Sequence, residues 1–268
     1  MSIAQYEKAL SGLTRAIRQL GSKKETTDRE RRDILKKAQN AAQLVLIDDL
    51  ISEIQTELND VEQKIEESLK QRREQLLIAA RDSGTPHKRF TDYDRVGIFK
   101  VTYKGQKIQL DIGSEILMTI EETNGDKAFD AINKAAQELE STPFSRDEFF
   151  ATIKSAFGYA RADGNIREGS IAVKALYVYV VSARQLRSSN YLKNPSVKAF
   201  QDYSLAQFAY DLARFGRDGW FFGKEALKTM TPNMVTIKAG KALMLPSLDS
   251  VEKQGPQFAT LKIEKREF

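Results

Sequence analysis

The stretch ISEIQTELNDVEQKI, residues 51–65, places an apolar side chain at every third or fourth position. This spacing puts the apolar side chains on one face of an α-helix, because the helix makes one turn in 3.6 residues. Such a face packs against another helix in a bundle or a coiled coil. We predict that it binds a partner helix through Ile51, Ile54, Leu58, Val61 and Ile65.

The same pattern lies inside a longer stretch, residues 27–82, that contains neither proline nor glycine. It opens with TDRE, residues 27–30, which has the Ser/Thr-x-x-Glu form of a capping box and indicates a helix start. We therefore predict one helix of about 55 residues, which is about 80 Å long at about 1.5 Å per residue.

A shorter helix precedes this long one. Its apolar positions also recur in steps of three and four, and Gly21 predicts its end: Ile3, Tyr6, Leu10, Leu13, Ile17 and Leu20. Residues 1–82 are thus predicted to form a long, coiled-coil-like helical hairpin, or arm. The first helix is too short to cover the apolar face at 54–65. Three alternatives remain for what packs against this face: the same chain folding back, a second copy, or a different coiled-coil protein.

The rest of the chain predicts an α+β fold, predominantly helical, after the polar break DSGTPHKRFTDYD at 82–94. One β-hairpin is predicted at 98–112 around Lys104-Gly105, and a second at 234–245 around Ala239-Gly240. Helices are predicted over 126–139, from the capping box at Ser145, and over 195–215, with a last strand at 258–264. Residues 176–181 fit a buried strand or a core helix equally well.

Two further domains follow from this pattern, one α+β domain at 83–183 and one basic helical region with a hairpin at 184–268. The alternative is that both pack as one domain. Helices followed by a hairpin in a basic region also predict a winged-helix-like module at the carboxy terminus.

Basic charge is concentrated in the last third of the chain. The whole sequence has a formal net charge of +5, and residues 184–268 hold 14 Lys and Arg against 8 Asp and Glu. Such an excess favours phosphate backbones as partners, although a generic cationic surface has the same composition. The predicted nucleic-acid-binding residues are Arg184, Arg187, Arg214, Arg217, Lys224, Lys238 and Lys241.

The residues that carry most catalytic chemistry are scarce. The sequence has no cysteine and one histidine, His87, which we predict lies in a loop. No phosphate-binding loop motif is present, so any ATP that drives the system is expected to be held by a partner, for example a coiled-coil ATPase. We predict no catalytic residue, metal site or cofactor; Asp163, Asn165 and Glu168 only weakly resemble a calcium loop. Neither a signal peptide nor a membrane span is predicted, so we expect a cytoplasmic protein.

The stretch ARFGRDGWFFGKE, residues 213–225, holds the only tryptophan. Adjacent side chains on a strand point to opposite faces, so Trp220, Phe221 and Phe222 cannot all face one ligand. We predict that Trp220 is a buried anchor, rather than a base-stacking platform, beneath a cationic rim of Arg214, Arg217 and Lys224.

These features predict a non-enzymatic subunit of a multiprotein DNA-associated machine. The arm would pair with a protein partner, and the basic third would contact nucleic acid without sequence preference. The layout is similar to that of accessory subunits of chromosome-maintenance or defence machines, without a shared motif. The alternative is a self-associating structural or assembly protein without nucleic-acid binding, and a metal-dependent carboxylate enzyme is the third hypothesis.

Overall fold

The computed structural model describes residues 3–20, 27–45, 48–105, 107–122 and 124–265. It divides into two compact units, a helical unit (Met1–Gln75) and a mixed unit (Leu76–Phe268). The chain is a mixed α+β protein with antiparallel sheets, as predicted. The helical unit contains α1 (Ile3–Leu20), α2 (Asp28–Val45) and most of α3 (Asp48–Asp82).

The predicted 55-residue helix is wrong, because the chain reverses between α2 and α3. Arg31 of α2 forms an ion pair with Glu57 of α3. In one continuous helix these residues would lie about 39 Å apart at about 1.5 Å per residue. Their meeting therefore requires that α3 fold back along α2; residues 46–47 lie outside the described part of the chain. Absence of proline and glycine permits a long helix, but apolar burial favours the reversal.

The core of the helical unit joins all three helices. Its buried side chains are Leu13, Ala16, Leu35, Ala38, Ile54, Leu58 and Val61, and Ile65 packs against them partly buried. The apolar face of α3 therefore packs against α1 and α2 of the same chain, which is the first of the three alternatives. Ile54, Leu58 and Val61 are therefore not available to a partner in this structure, contrary to their predicted role. The side chain of Ile51 lies outside the described part.

The capping box that starts α2 is confirmed. The Thr27 backbone N–H donates to Glu30 Oε2 at 3.0 Å, and the Glu30 N–H donates to Thr27 Oγ1 at 3.3 Å. At the other end of the unit, α3 continues into the mixed unit because Leu76 and Ala80 are buried in its core. The division between units therefore falls within α3, before the polar break that was predicted as the boundary.

Five strands of the mixed unit form an antiparallel sheet in chain order: β1 (His87–Arg89), β2 (Asp94–Val96), β3 (Phe99–Lys104), β4 (Lys107–Ile112) and β5 (Glu115–Ile120). The predicted first hairpin is confirmed, since Lys104 pairs with Lys107 across a two-residue turn. Gly105 opens this turn at φ +60°, a conformation that glycine adopts without a steric penalty.

Helices and shorter strands complete the mixed unit: α4 (Gly125–Ser141), α5 (Arg146–Ala162), β6 (Ser170–Ala172), α6 (Val173–Gln185), α7 (Ser189–Lys193), α8 (Leu205–Arg217), β7 (Phe221–Phe222), β8 (Glu225–Met230), α9 (Met234–Lys238), β9 (Leu243–Met244), β10 (Gln257–Phe258) and β11 (Thr260–Lys265). A second antiparallel sheet has the order β6-β11-β8-β7, and β9 pairs with β10. One core contains buried residues from both sides of residue 183, so 83–183 and 184–268 pack together.

Several helix predictions are confirmed and one is half wrong. Both α4 and α5 lie where predicted, and Ser145 caps α5 by accepting from the Glu148 N–H. Residues 176–181 are helical, within α6. The helix predicted over 195–215 begins only at Leu205, because Ser204 caps it there. Val197, predicted to lie on the buried side of this helix, is 93% exposed.

The predicted second hairpin at 234–245 is wrong. Asn233 accepts from the Thr236 N–H and starts the short helix α9 instead. Gly240, at φ +67°, follows that helix, and β9 then pairs with the distant β10. Lys238 and Lys241 therefore lie at the end of a helical turn and not on a hairpin.

Trp220 packs against the core but is partly buried, not the fully buried anchor that was predicted. Its ring meets Phe258 edge-on at a centroid distance of 5.1 Å and Phe215 at 6.4 Å. Phe222 packs on Phe150 at 5.6 Å, whereas Phe221 is exposed. The aromatic triplet is thus divided between core and surface.

This packing predicts a steric cost for a methyl group at Gly216 of α8. A Cβ atom there would lie less than 3.0 Å from three atoms of the Trp220 ring. We expect Gly216→Ala to lower the free energy of unfolding by about 1–3 kcal/mol, measured by urea unfolding followed by circular dichroism. Gly158→Ala in α5 is the matched control, because nothing lies within 4 Å of its Cβ. The control should be neutral or stabilising by up to about 1 kcal/mol; equal destabilisation by both substitutions would contradict the packing argument.

Candidate nucleic-acid interface

The seven predicted nucleic-acid-binding residues fall into three environments. Arg184 and Arg187 line one cavity, Arg214 and Arg217 are engaged within the protein, and the three lysines lie elsewhere on the surface. The two arginines of the cavity are the pair that the fold brings together.

The arginine cavity has a volume of about 310 Å³. Its walls come from the first turns of α5, the end of α6 and the segment that leads into α8. Side chains around the two arginines are mostly polar, with an aromatic wall: Ser145, Glu148, Thr152, Ser188, Gln201, Asp211, Phe144 and Phe149. It is a concave site with a mostly polar lining.

Arg187 is held against α5. Its guanidinium donates to the Glu148 carbonyl at 3.2 Å, to Thr152 Oγ1 at 3.1 Å and to Ser155 Oγ at 3.3 Å. These bonds orient the cation and join the end of α6 to α5. Arg187 therefore contributes fixed positive charge to the cavity, with much of its donor capacity already used.

Arg184 has a different environment. The centre of its guanidinium lies 4.0 Å from the ring centroid of Tyr203, and its Nε is buried without a hydrogen-bond partner. No hydrogen bond or ion pair of this guanidinium occurs within the described ranges. A cation–π contact fixes the position of a guanidinium but leaves its N–H donors in want of acceptors. Arg184 thus brings to the cavity a guanidinium that makes no hydrogen bond within the described part of the chain.

A buried carboxylate, Asp211 of α8, supports the ring beneath Arg184. Asp211 is 4% exposed, and it accepts from the Tyr203 hydroxyl at 2.8 Å and from Gln207 Nε2 at 2.9 Å. Burial raises the pKa of Asp211, and the two hydrogen bonds act against that rise. Burial and the neighbouring Asp211 raise the pKa of Tyr203 well above its usual range, so the hydroxyl remains a donor.

Arg214, predicted to bind nucleic acid, serves the fold instead. Its guanidinium lies over the Phe144 ring at 4.4 Å and donates to the Thr142 carbonyl at 3.3 Å. Arg217 is more exposed but pairs with Asp249 at 3.2 Å. Neither arginine keeps a free donor set comparable with that of Arg184.

Lys224, Lys238 and Lys241 are exposed and have no ion pair within the described ranges. Lys224 occupies the turn between β7 and β8, and none of the three lines the arginine cavity. They add positive charge to the surface without forming part of this site.

The sequence also contains a signal that marks the cavity more closely than the total charge. Residues 169–201 include no Asp or Glu but five Lys and Arg. Two of the five are Arg184 and Arg187, and Lys193 and Lys198 lie exposed just beyond them. Tyr203 and Asp211, which position Arg184, carry no such local signal because their role depends on tertiary contact.

A second cavity, of about 260 Å³, is lined by Tyr93, Arg95, Lys100 and Asp111 among others. Here the cations already have partners. Lys100 Nζ lies 3.7 Å from Asp111 Oδ2, and Arg95 donates to the Lys253 carbonyl. This cavity therefore makes a weaker case for an anionic ligand.

Within the described ranges, no group of three or more His, Asp or Glu side chains is placed to hold a metal ion. His87 is the first residue of β1, not part of a loop, and its Nδ1 lies 3.0 Å from the Thr85 carbonyl oxygen. No helix in the described part of the chain has the length and apolar character needed to cross a membrane.

Comparisons of the chain with protein-family models, with curated proteins and with solved structures found no match.

The raised pKa of Asp211 predicts how stability depends on pH. A carboxyl group with a higher pKa in the folded state binds its proton more tightly there, so protonation favours folding. Its stabilising contribution is present below the ordinary value of 3.8 and is lost as pH rises through the folded-state pKa. We therefore expect the free energy of unfolding of the wild type, relative to Asp211→Asn, to fall as pH rises above about 4 and then to level off. Urea unfolding over a pH series measures this difference.

Tyr203→Phe provides a second variant for the same test. The Tyr203 hydroxyl lowers the pKa of Asp211 by donating to it, so its removal should raise that pKa further. The pH range over which stability falls should extend upward in this variant. A relative stability that rises with pH instead would show that Asp211 is held as a favoured carboxylate.

Proposed function

We propose that this protein is a non-enzymatic binding subunit that contacts nucleic acid through the phosphate backbone. The main support is the environment of Arg184. Its guanidinium lies over the Tyr203 ring, makes no hydrogen bond within the described part of the chain, and lines a cavity beside Arg187. Phosphate oxygens match the planar donor fork of arginine and accept two of its N–H groups at once. A phosphate group would therefore satisfy the donors that the protein leaves unpaired.

Binding rather than catalysis is supported by how the buried carboxylate of the cavity, Asp211, is used. One Asp211 oxygen accepts from Tyr203 and the other from Gln207. A general base must reach a substrate proton through a free oxygen lone pair in good geometry. Asp211 is better placed to hold the Tyr203 ring beneath Arg184 than to take a proton.

The surroundings of the cavity favour contacts without sequence preference. Lys193 and Lys198 are exposed on the flanking acid-free segment, and they would add long-range attraction for a polyanion. Glu148 also lines the cavity, so its carboxylate limits the net charge there. Backbone phosphates carry no sequence information, and charges of this kind position a nucleic acid without reading it.

The order of elements in the mixed unit supports a winged-helix-like module as part of this proposal. Helix α5, strand β6, helices α6 and α8, and strands β8 and β11 occur in this order, with shorter elements between some of them, and β11 pairs with both β6 and β8. In such a module α8 would be the third helix, which is the recognition helix of helix-turn-helix proteins. Most of α8 is buried, and it packs on β4 and β5, so it is not free to enter a major groove. This arrangement favours contact with the phosphate backbone of a nucleic acid over contact with its bases.

A second candidate function, self-association without nucleic-acid binding, is favoured by one observation. Leu10 and Ile17 on α1 are 45% and 48% exposed, although the sequence pattern predicts both to pack against another helix. A structural protein would use such a surface to assemble.

Replacement of Arg184 tests the nucleic-acid proposal. Arg184→Gln should weaken binding to a labelled oligonucleotide by about tenfold or more, because it removes charge-assisted bonds to phosphate. Arg217→Gln is the matched control: the same change at an arginine already paired with Asp249 should cost much less. Fluorescence anisotropy at about 50 and about 200 mM salt, on single-stranded and duplex DNA and RNA, measures both effects.

Two outcomes would contradict the proposal. One is wild-type affinity that does not change with salt, and the other is equal loss in the two variants. Thermal unfolding of Arg184→Gln verifies that the fold is retained. If the wild type has no nucleic-acid affinity and light scattering finds a stable homo-oligomer, self-association is the better account.

A further inference from the structure

Helix α1 uses only part of its apolar surface inside the helical unit. Ala9, Leu13 and Ala16 are buried, which identifies the face that packs against α2 and α3. Leu10 and Ile17 lie beside this face, seven residues apart, and about half of each side chain is exposed. Residues seven apart lie nearly in line along a helix, so these two form a stripe that a second helix can cover.

A shallow groove of about 410 Å³ lies beside this stripe and shares Leu10 with it. All of its lining residues belong to α1: Glu7, Leu10, Ser11, Thr14, Arg15 and Arg18. The groove therefore lies on one helix face, with Leu10 as its apolar lining residue and charged or hydroxyl side chains as the others.

The charges on the groove are separated along the helix. Glu7 lies at the amino-terminal end, and Arg15 and Arg18 lie at the carboxy-terminal end. These three side chains take part in no ion pair within the described part of the chain. A helix with this charge pattern is complementary to a reversed copy of itself and repels a copy in parallel register, which would set Glu7 beside Glu7.

We propose that α1 binds α1 of a second copy of this chain in antiparallel orientation. A two-fold axis that sets Leu10 beside Ile17 of the second copy leaves Glu7 about 3 Å along the axis from Arg18 of that copy. One symmetry operation then forms the Leu10–Ile17 contact and the Glu7–Arg18 ion pair twice each. The partner of the helical unit would then be a second copy of the chain, and this pairing does not depend on nucleic-acid binding.

Charge exchange in the full-length chain tests this pairing. Glu7→Arg and Arg18→Glu should each raise the dimer dissociation constant by about tenfold, because each turns two attractions into two repulsions. The double variant, Glu7→Arg with Arg18→Glu, should return the dissociation constant to within about threefold of the wild type. Sedimentation equilibrium over a concentration series measures all three. Residues 7 and 18 are about 16 Å apart along one helix, so recovery can only arise between copies.

Lys8→Glu is the matched control. Lys8 is exposed on α1 but does not line the groove, so the same reversal of charge should leave dimerisation unchanged. A wild type that stays monomeric at about 100 µM, or a double variant no better than the single variants, would overturn the proposal. A dimer that loses nothing in either single variant would assign the interface to another surface. Oligonucleotide binding by the same variants should be measured separately, because failure there concerns the arginine cavity and not α1.

Discussion

Phe215 is the contact on which the arrangement of the mixed unit depends. Its fully buried ring stacks on Phe150 of α5 at a centroid distance of 5.6 Å and 7° between planes, and it also meets Phe149 and Trp220. Arg146, at the start of α5, lies over the same ring at 4.6 Å and donates to the carbonyls of Phe215, Gly219 and Phe221. One cation therefore satisfies the carbonyls that end α8 and the turn after it. This clamp sets α8 against α5, and the arginine cavity lies between them.

One turn before Phe215, the same helix introduces a polar group into a mostly apolar environment. Burial of Asp211 costs free energy, which its bonds to Tyr203 and Gln207 partly offset. The arrangement holds Tyr203 where its ring can support Arg184. The chain thus tolerates a buried carboxylate at this point, and the consequence is a guanidinium that is held on Tyr203 and makes no hydrogen bond within the described part of the chain. Preorganisation of this kind lowers the entropy lost when a ligand binds.

Local signals predicted the parts of the fold that local chemistry decides. The capping boxes at Thr27 and Ser145 and the turn at Gly105 depend on residues within a few positions of one another. The errors arose where distant contacts decide. Apolar periodicity continues from α2 into α3 although α3 folds back along α2. Residues 195–204 have helical spacing, but the helix begins only after the Ser204 cap, and Tyr203 is buried from outside any helix. Arg184 was predicted from charge alone, whereas its distinction from Arg214 depends on Tyr203, Thr142 and Phe144, which no sequence window brings together.

Each of the two proposed contacts would be weak on its own, but the two together would give stronger binding to a nucleic acid. One arginine cavity offers a single phosphate a few charge-assisted bonds, and one pair of short helices buries little apolar surface. A dimer carries two such cavities, and a nucleic acid presents a phosphate charge about every 1.7 Å along a duplex. Once the first cavity is occupied, the second would meet another phosphate on the same molecule at a raised effective concentration, provided that the nucleic acid reaches both cavities. Weak self-association and weak phosphate binding would then strengthen each other, because each copy held on the polymer raises the local concentration of the next.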